Sequence, residues 1–325
     1  MVFFFARWTA LKPAALPIVI FLFAPGAVGQ AKLDDGALSP HRAFGSSPVS
    51  LLRKSVDLVL LNVTVLDHSD RAVVGLQQKD FVVVDDKRER SVKYLSTADE
   101  PASLVIIFDA SASMAGKIPA ERKAIKELVQ ASNVEDEFSL VLVQDEPHLL
   151  SRFGDDVDLQ LATEFIQARG FTALWDGIYL GVQELQYAHN KKKAIIVMSD
   201  GGDNHSRYSE SDLKLVLEEA DAAMYAIGIF EWFPRRPEEK LGPLQLDQLT
   251  SLTGGQLFSV RDASELSPAM TQISRRLRNQ YLLGYYAPDQ DHDGRWHKVR
   301  VQLGGSLSTA KLRLYAKRGY YAAVQ

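Results

Sequence analysis

The chain has 325 residues, a length that predicts about two domains. Hydrophobic residues make up 46% of the sequence, which is enough to form their cores. Its formal net charge of -4 provides no basic footprint, so we expect no nucleic-acid partner. The sequence contains no cysteine. This excludes disulfides, cysteine nucleophiles, thiolate zinc sites and a lipid anchor attached to an N-terminal cysteine.

The N-terminus has the order of a secretory signal peptide. Arg7 and Lys12 precede an apolar run over residues 14–24, and small residues follow up to residue 29. An anchor that stays uncleaved is the alternative, although the run is short for a membrane span. We therefore predict a signal peptide at 1–29 and a flexible leader at 30–53. The mature protein would be exported, periplasmic or extracellular, without a lipid anchor and without a later membrane span.

Both flanks of the remaining chain alternate with the period of two that is typical of strands. Residues 54–97 contain such runs at 56–66, 81–85 and 92–95, and residues 281–321 contain them at 281–287, 297–303 and 311–316. Because three strands rarely form a stable domain alone, we predict one small β-sandwich made from both flanks. The alternative is two independent β-appendages.

Residues 102–280, between these flanks, alternate apolar strand patterns with helical ones. This order predicts an α/β fold, a doubly wound and mostly parallel sheet with helices on both faces, Rossmann-like in architecture. We expect strands at 138–143, 148–153, 194–199, 224–230 and 256–260. The strand at 148–153 should pair with the strand at 138–143 as an antiparallel hairpin at the sheet edge. Helices are expected around 118–129, 157–168, 175–187, 209–222, 244–253 and 264–279. The strand order must then reverse beside the opening strand, at 104–109, where ligand-binding loops meet in such sheets.

The opening strand ends in a group of oxygen-bearing side chains. An apolar run is followed by Asp109, Ser111 and Ser113, and a hard cation such as Mg²⁺ prefers such ligands. Two more oxygen ligands occur downstream. Thr172 lies in a loop before a helix, and Asp200 follows the apolar strand at 194–199. The alternative is that all five are ordinary turn and helix-capping residues.

In this order and on these elements, Asp109, Ser111, Ser113, Thr172 and Asp200 resemble the metal-ion-dependent adhesion site (MIDAS) of von Willebrand factor type A (VWFA) domains. The resemblance covers about residues 102–280. It extends more loosely to bacterial secreted proteins in which such a domain is flanked by short β-rich segments. It implies that the two serines coordinate the cation directly, that the two aspartates bind it or hold its waters, and that the threonine joins when an outside ligand is bound.

The resemblance also implies a cofactor and a partner. The cofactor would be Mg²⁺, with Mn²⁺ or Ca²⁺ as alternatives, and the partner would be a protein that offers a Glu or Asp carboxylate. Asp203, Asn204 and His205 follow Asp200 and are weaker candidates for the rim of the partner-binding site. For Asp176, at a helix start, a capping role or an interaction with the helix dipole is favoured over metal binding.

Three functions are compatible with this reading. A cell-adhesion or protein-binding module is favoured, and a structural VWFA module in which metal only stabilises the fold is the alternative. A Mg²⁺-dependent phosphoryl-transfer enzyme is a minor third possibility. No GxxxxGK[ST], GxSxG or GxGxxG motif follows the first strand, and Ser111 stands where an aspartyl phosphatase would place its second carboxylate. We therefore predict that the protein is not an enzyme, and make no prediction of its oligomeric state.

Overall fold

The computed structural model describes residues 58–97, 100–154, 159–230, 236–287 and 294–322. The predicted signal peptide at 1–29 and the leader at 30–53 lie outside the described residues. The described strands are β1 (Leu58–Leu66), β2 (Phe81–Asp85), β3 (Arg88–Arg90), β4 (Tyr94–Ser96), β5 (Ala102–Asp109), β6 (Glu137–Val143), β7 (Pro147–Ser151), β8 (Lys192–Ser199), β9 (Ala223–Ile229), β10 (Leu257–Val260), β11 (Tyr281–Tyr286), β12 (Trp296–Leu303), β13 (Arg313–Ala316) and β14 (Gly319–Tyr321). The described α-helices are α1 (Ile118–Ala131), α2 (Leu159–Glu164), α3 (Leu174–Glu184), α4 (Glu210–Glu219), α5 (Pro237–Leu252) and α6 (Leu266–Arg278).

The central sheet has the strand order β10-β9-β8-β5-β6-β7. All of its neighbouring pairs are parallel except β6 and β7, which are antiparallel. After β5, the chain forms β6 and β7 on one side of β5. It then forms β8, β9 and β10 on the other side of β5. The order therefore reverses beside β5, which confirms the predicted doubly wound sheet and its antiparallel edge hairpin.

Strand β5 is buried along its whole length because helices cover both faces of the sheet. Ile106 and Phe108 pack into the core shared with α1, α2 and α6. Val105 and Ile107 point to the opposite face, into the core shared with α3, α4 and α5. An uninterrupted apolar run is what a strand with two buried faces requires, and this explains the sequence of β5.

Two further sheets combine strands from the two ends of the described chain. Their orders are β13-β1-β11-β4 and β14-β12-β2-β3. The registers place Val63 opposite Tyr281 and Val83 opposite Val301, and all four residues belong to one apolar cluster between the sheets. The predicted fold class, including a sandwich built from both flanks, is confirmed, and two independent appendages are not observed. The domain boundaries assigned from sequence stay predictions.

Several element boundaries differ from those expected. Helix α5 begins at Pro237 instead of residue 244, because a proline is well tolerated in the first turn of a helix and Pro243 is accommodated inside it. Helix α2 ends at Glu164 instead of residue 168. Strands β3 and β14 were not expected, since three residues each are too few to show a period of two. None of the helices in the described ranges is both long and apolar enough to cross a membrane.

The connection between β1 and β2 is tied to β11 by one buried tyrosine. The hydroxyl of Tyr281 donates a hydrogen bond to the carbonyl oxygen of Val73 over 2.8 Å and accepts one from the backbone nitrogen of Leu76 over 3.1 Å. These bonds join residues about two hundred positions apart in sequence. They therefore link the two flanks through side-chain contacts as well as strand pairing.

We predict that Tyr281→Phe lowers the free energy of unfolding by about 1 kcal/mol, because the partly buried carbonyl of Val73 and amide of Leu76 each lose a partner. The measurement is urea denaturation of the purified chain. Tyr286→Phe is the matched control, because Tyr286 lies at the end of the same strand with half of its surface exposed. Equal stability of the two variants would contradict the role assigned to the Tyr281 hydroxyl.

Candidate metal centre

The five candidate metal ligands lie at the C-terminal edge of the central sheet, where three segments meet. β5 ends at Asp109, the loop to α1 carries Ser111 and Ser113, Thr172 lies just before α3, and Asp200 directly follows β8. Ser113, Thr172 and Asp200 line one cleft. Ser111 lies beside Ser113, and Asp109 lies beneath them without exposure. The structure thus brings the five predicted residues together.

Asp109 is fully buried, and two hydrogen bonds orient its carboxylate. Oδ1 accepts from the backbone nitrogen of Ser111 over 2.9 Å, and Oδ2 accepts from Oγ of Ser199 over 2.5 Å. Burial, followed by the negative charge of Asp200, raises the pKa of Asp109 to about 6, although both hydrogen bonds act in the opposite direction. A nearby cation would favour the ionised form of this carboxylate.

The two serine hydroxyls have a separation that suits a small hard cation. Oγ of Ser111 lies 3.2 Å from Oγ of Ser113. Adjacent ligands of an octahedral Mg²⁺, each about 2.1 Å from the ion, are roughly 3 Å apart. Ser111 is buried and Ser113 is exposed, so the pair runs from the floor of the cleft towards solvent. The residues present therefore fit the cation that the sequence predicted.

The loop that carries Thr172 is held from two sides. Gly170 has a φ of 73°, and a Cβ at this position would collide with the carboxylate of Asp145. That carboxylate accepts a hydrogen bond from the backbone nitrogen of Phe171 over 2.7 Å. On the other side, the side chain of Asn204 accepts from the backbone nitrogen of Thr172 over 2.9 Å, and its own backbone nitrogen donates to the Thr172 carbonyl over 3.0 Å.

Asp200 is held by its own turn and faces a lysine. Its Oδ1 accepts from the backbone nitrogen of Gly202 over 3.2 Å, and its Oδ2 lies 3.7 Å from Nζ of Lys117. A Cβ on Gly201 would lie 2.9 Å from Cα of Gly242, so this turn packs closely against α5. Sequence reasoning missed Lys117. Its place directly before the helix that follows Ser113 was the available signal.

Glu121 is a second residue that sequence reasoning missed. It lies on α1 with no exposed surface, in line with Ile118, Ile125 and Leu128, which are buried too. Burial raises its pKa well above the ordinary value, and the charges of Asp109 and Asp200 raise it further. A carboxylate at an apolar position of a helical stripe was the signal that could have identified it.

The cleft above these groups has a volume of about 750 Å³ and opens to solvent. Its walls include the aromatic residue Phe171, the basic residue Arg236 and the acidic residues Glu238 and Glu239. Phe171 and Arg236 are both largely exposed. The opening therefore combines an apolar wall with charged groups of both signs, next to the oxygen ligands.

The three weaker candidates brace the loop of Thr172. Oδ1 of Asp203 accepts from the backbone nitrogen of Trp175 over 3.2 Å, and Asn204 makes the two bonds to Thr172 described above. The ring of His205 stacks on Phe171 with centroids 5.1 Å apart. Asn204 and His205 are exposed, so they contribute both to the shape of the rim and to its surface.

Asp176 is buried, and its carboxylate does not cap the helix on which it lies. It accepts hydrogen bonds from the backbone nitrogens of Arg207 and Tyr208 over 2.9 and 3.0 Å. Nε of Arg207 also donates to it over 3.1 Å. The carboxylate thus anchors the loop before α4. Asp176 also lies in the first turn of α3, so its expected interaction with the helix dipole stays a prediction.

A separate acidic and histidine cluster lies on the flanking sheets. One ligand atom from each of Asp85, Asp86 and His297 falls within 4.8 Å of the others. Nδ1 of His297 lies 2.8 Å from Asp86, whose other oxygen accepts from the backbone nitrogen of Lys298 over 3.0 Å. Nε of Arg90 lies 3.8 Å from Asp85. The imidazole of His297 thus already faces Asp86, and the guanidinium of Arg90 faces Asp85, so side chains of the protein account for the cluster.

Several solved structures are similar to this chain. A protein described as von Willebrand factor type A from Catenulispora acidiphila is 14% identical, with a TM-score of 0.48 over 83% of this chain and 74% of that one. The PilB minor pilin from Streptococcus sanguinis is 15% identical, with a TM-score of 0.45 over 57% and 63%. The vWF domain of the type V pili tip protein Mfa5 from Porphyromonas gingivalis is 15% identical, with a TM-score of 0.44 over 54% and 94%. A search of curated proteins gave no match.

A family model described as the von Willebrand factor type A domain matches residues 103–272. Domains of this family typically mediate protein–protein interactions, and they often bind a divalent metal. The matched segment runs from the second residue of β5 past the end of β10 and therefore includes nearly all of the central sheet. Because this match covers more than half of the sequence, the chain belongs to the von Willebrand factor type A domain family.

Proposed function

We propose that this chain is an exported protein-binding module in which Asp109, Ser111, Ser113, Thr172 and Asp200 hold a divalent cation that captures an acidic group of a partner. One observation carries the proposal. Two carboxylates that repel each other and a pair of hydroxyls at ligand spacing lie together at the floor of an open cleft. A cation would relieve the repulsion between the two carboxylates and remain accessible from the solvent side of the cleft.

The chain's own residues divide the work at this site. Ser111 and Ser113 supply neutral oxygens, so they leave the charge of the cation largely uncompensated. The hydrogen bonds to Asp109 fix which way its carboxylate points, and Asn204 fixes the backbone of Thr172 at the mouth of the cleft. A bound Mg²⁺, Mn²⁺ or Ca²⁺ would supply a positive charge with a coordination position open to an outside oxygen.

The cleft walls favour a carboxylate that belongs to a protein. Arg236, whose Nε lies 3.9 Å from Oε1 of Glu239, supplies a positive charge on the wall that a second acceptor of the partner can approach. Phe171, stacked on His205, offers an exposed ring for an apolar side chain beside the acidic one. A partner segment with a Glu or Asp next to an apolar residue fits both features.

The N-terminal pattern of basic, apolar and small residues supports export to the periplasm or the cell exterior. Partners are therefore to be sought among envelope proteins. The direct experiment is capture from envelope fractions on the immobilised chain, with Mg²⁺ in one arm and a chelator in the other. Capture that is equal in both arms would refute a metal-dependent adhesion role.

The structural alternative and the enzymatic one give different outcomes. If metal only stabilises the fold, Mg²⁺ raises the melting temperature and no partner binds in a metal-dependent way. If the site transfers phosphoryl groups, the chain releases phosphate from simple esters in the presence of Mg²⁺. We favour capture because the family's domains are typically interaction modules and because the cleft beside Thr172 and Asp200 is open to solvent.

We predict that Asp109→Asn, in chelator at pH 7.5, is more stable than the wild-type chain by up to about 3 kcal/mol. In the folded wild-type chain, the pKa of Asp109 is raised from 3.8 to about 6. The stability gained from a protonated Asp109 is therefore fully present below pH 3.8 and is lost as the pH rises through 6. The difference should therefore vanish near pH 4. Mg²⁺ should no longer raise the melting temperature of the variant.

The measurement is urea denaturation at the two pH values, together with thermal melts with and without Mg²⁺. Asp247→Asn is the control, because Asp247 is exposed on α5. Asparagine is preferred to alanine at position 109, since alanine would leave the donors of Ser111 and Ser199 without their acceptor. An unchanged Mg²⁺ response in Asp109→Asn would refute the proposed metal site.

We predict that Thr172→Val keeps most of the stabilisation by Mg²⁺ but abolishes Mg²⁺-dependent capture of an acidic partner. Valine preserves the shape of the side chain and removes only the hydroxyl that would join the cation when a partner binds. Melts report the first property and the envelope capture assay reports the second. Thr271→Val on α6 serves as the control, and a loss of capture in both variants would contradict a specific role of Thr172.

A further inference from the structure

Glu121, near the candidate metal centre, is an acidic residue in an unusual environment. Its side chain has no exposed surface, and neither of its carboxylate oxygens has a hydrogen-bond partner within the described part of the chain. Buried polar groups in proteins are nearly always hydrogen-bonded, and a buried carboxylate without donors is especially unfavourable. The described part of the protein therefore provides no hydrogen-bond donor for Glu121.

The helix geometry directs this carboxylate towards the metal centre. Glu121 lies one turn after Lys117, to whose carbonyl oxygen its backbone nitrogen donates over 3.1 Å, so the two residues share one face of α1. Helical side chains tilt towards the N-terminus of their helix, and α1 begins directly after the loop with Ser111 and Ser113. On that same face, Lys117 reaches to 3.7 Å from Asp200.

The electrostatic neighbours of Glu121 are the residues of the metal centre. After burial itself, the largest influence that raises its pKa is the charge of Asp109, and Asp200 acts in the same direction. Lys117 acts in the opposite direction. Lys117 thus offsets only part of the negative charge that surrounds Glu121.

We propose that Glu121 is a positioning residue of the metal centre, whose carboxylate accepts hydrogen bonds from water molecules bound to the cation without touching the cation itself. This inference rests on the metal site of the proposed function and adds a sixth residue to it. Water on a divalent cation is a strong donor, and no protein donor reaches the two oxygens of Glu121 within the described part of the chain. Lys117 then provides partial compensation of charge when the cation is released.

The competing explanation is that Glu121 is a neutral carboxylic acid with a purely structural place in the core of α1. Glu121→Gln separates the two explanations because glutamine has nearly the same shape and no charge. A structural acid predicts little change in either metal affinity or stability. The proposed role predicts weaker metal binding together with unchanged or higher stability in chelator.

The experiment is titration calorimetry of the intact chain with MgCl₂, combined with thermal melts in chelator. We expect Glu121→Gln to bind Mg²⁺ at least tenfold more weakly than the wild type, with a melting temperature in chelator that is equal or higher. Glu121→Asp, which keeps the charge on a shorter side chain, should fall between the two in affinity. Glu127→Gln is the matched control on the same helix, partly exposed, and should bind Mg²⁺ as the wild type does.

The outcomes separate this inference from the proposed function. If the wild type binds Mg²⁺ and Glu121→Gln binds it within twofold of the wild type, the role of Glu121 is refuted while the metal site stands. If Glu121→Gln binds more weakly but also melts at a clearly lower temperature in chelator, the effect is structural and the role is again refuted. If the wild type binds no Mg²⁺, both the metal site and the role of Glu121 fail.

Discussion

Repulsion among buried carboxylates is the constraint on which the candidate metal centre depends. Asp109 and Glu121 have no exposed surface and Asp200 has little, so water screens their charges poorly. Lys117 compensates only part of this charge, through its approach to Asp200. These charges support the proposed binding of a cation, and the hydrogen bonds from Ser111 and Ser199 orient the carboxylate of Asp109.

The topology of the sheet explains why these groups meet. β5 lies between β6 and β8, and the chain leaves β5 in one direction before it returns to build the other side. Loops from the C-terminal ends of β5 and β8 therefore diverge around a common cleft, as at other switch points of doubly wound sheets. The loop of Thr172 closes the third side, because Asn204 and Asp145 hold it between the two.

The flanking sheets give this domain a fixed frame. β1 lies between β11 and β13, so the strand that precedes the central domain pairs with strands that follow it. The hydroxyl of Tyr281 and its contacts with Val73 and Leu76 add to this closure. The segments before and after the central domain thus pack into one sandwich core. This anchors both ends of the domain that carries the cleft.

The sequence by itself determined the fold class and predicted five candidate site residues that the fold brings together, because strand patterns and the residues that follow each strand are encoded locally. A continuous apolar run predicts a strand that is buried on both faces, such as β5. Because the carboxyl ends of parallel strands meet at one edge of a sheet, the sequence also predicted that Asp109 and Asp200 lie close together. Lys117 and Glu121 could not, because their roles depend on which face of α1 turns towards the loop and on how deeply it is buried. Only tertiary packing removed water from Glu121 and left its carboxylate without a donor, and this desolvation has no counterpart in the order of residues.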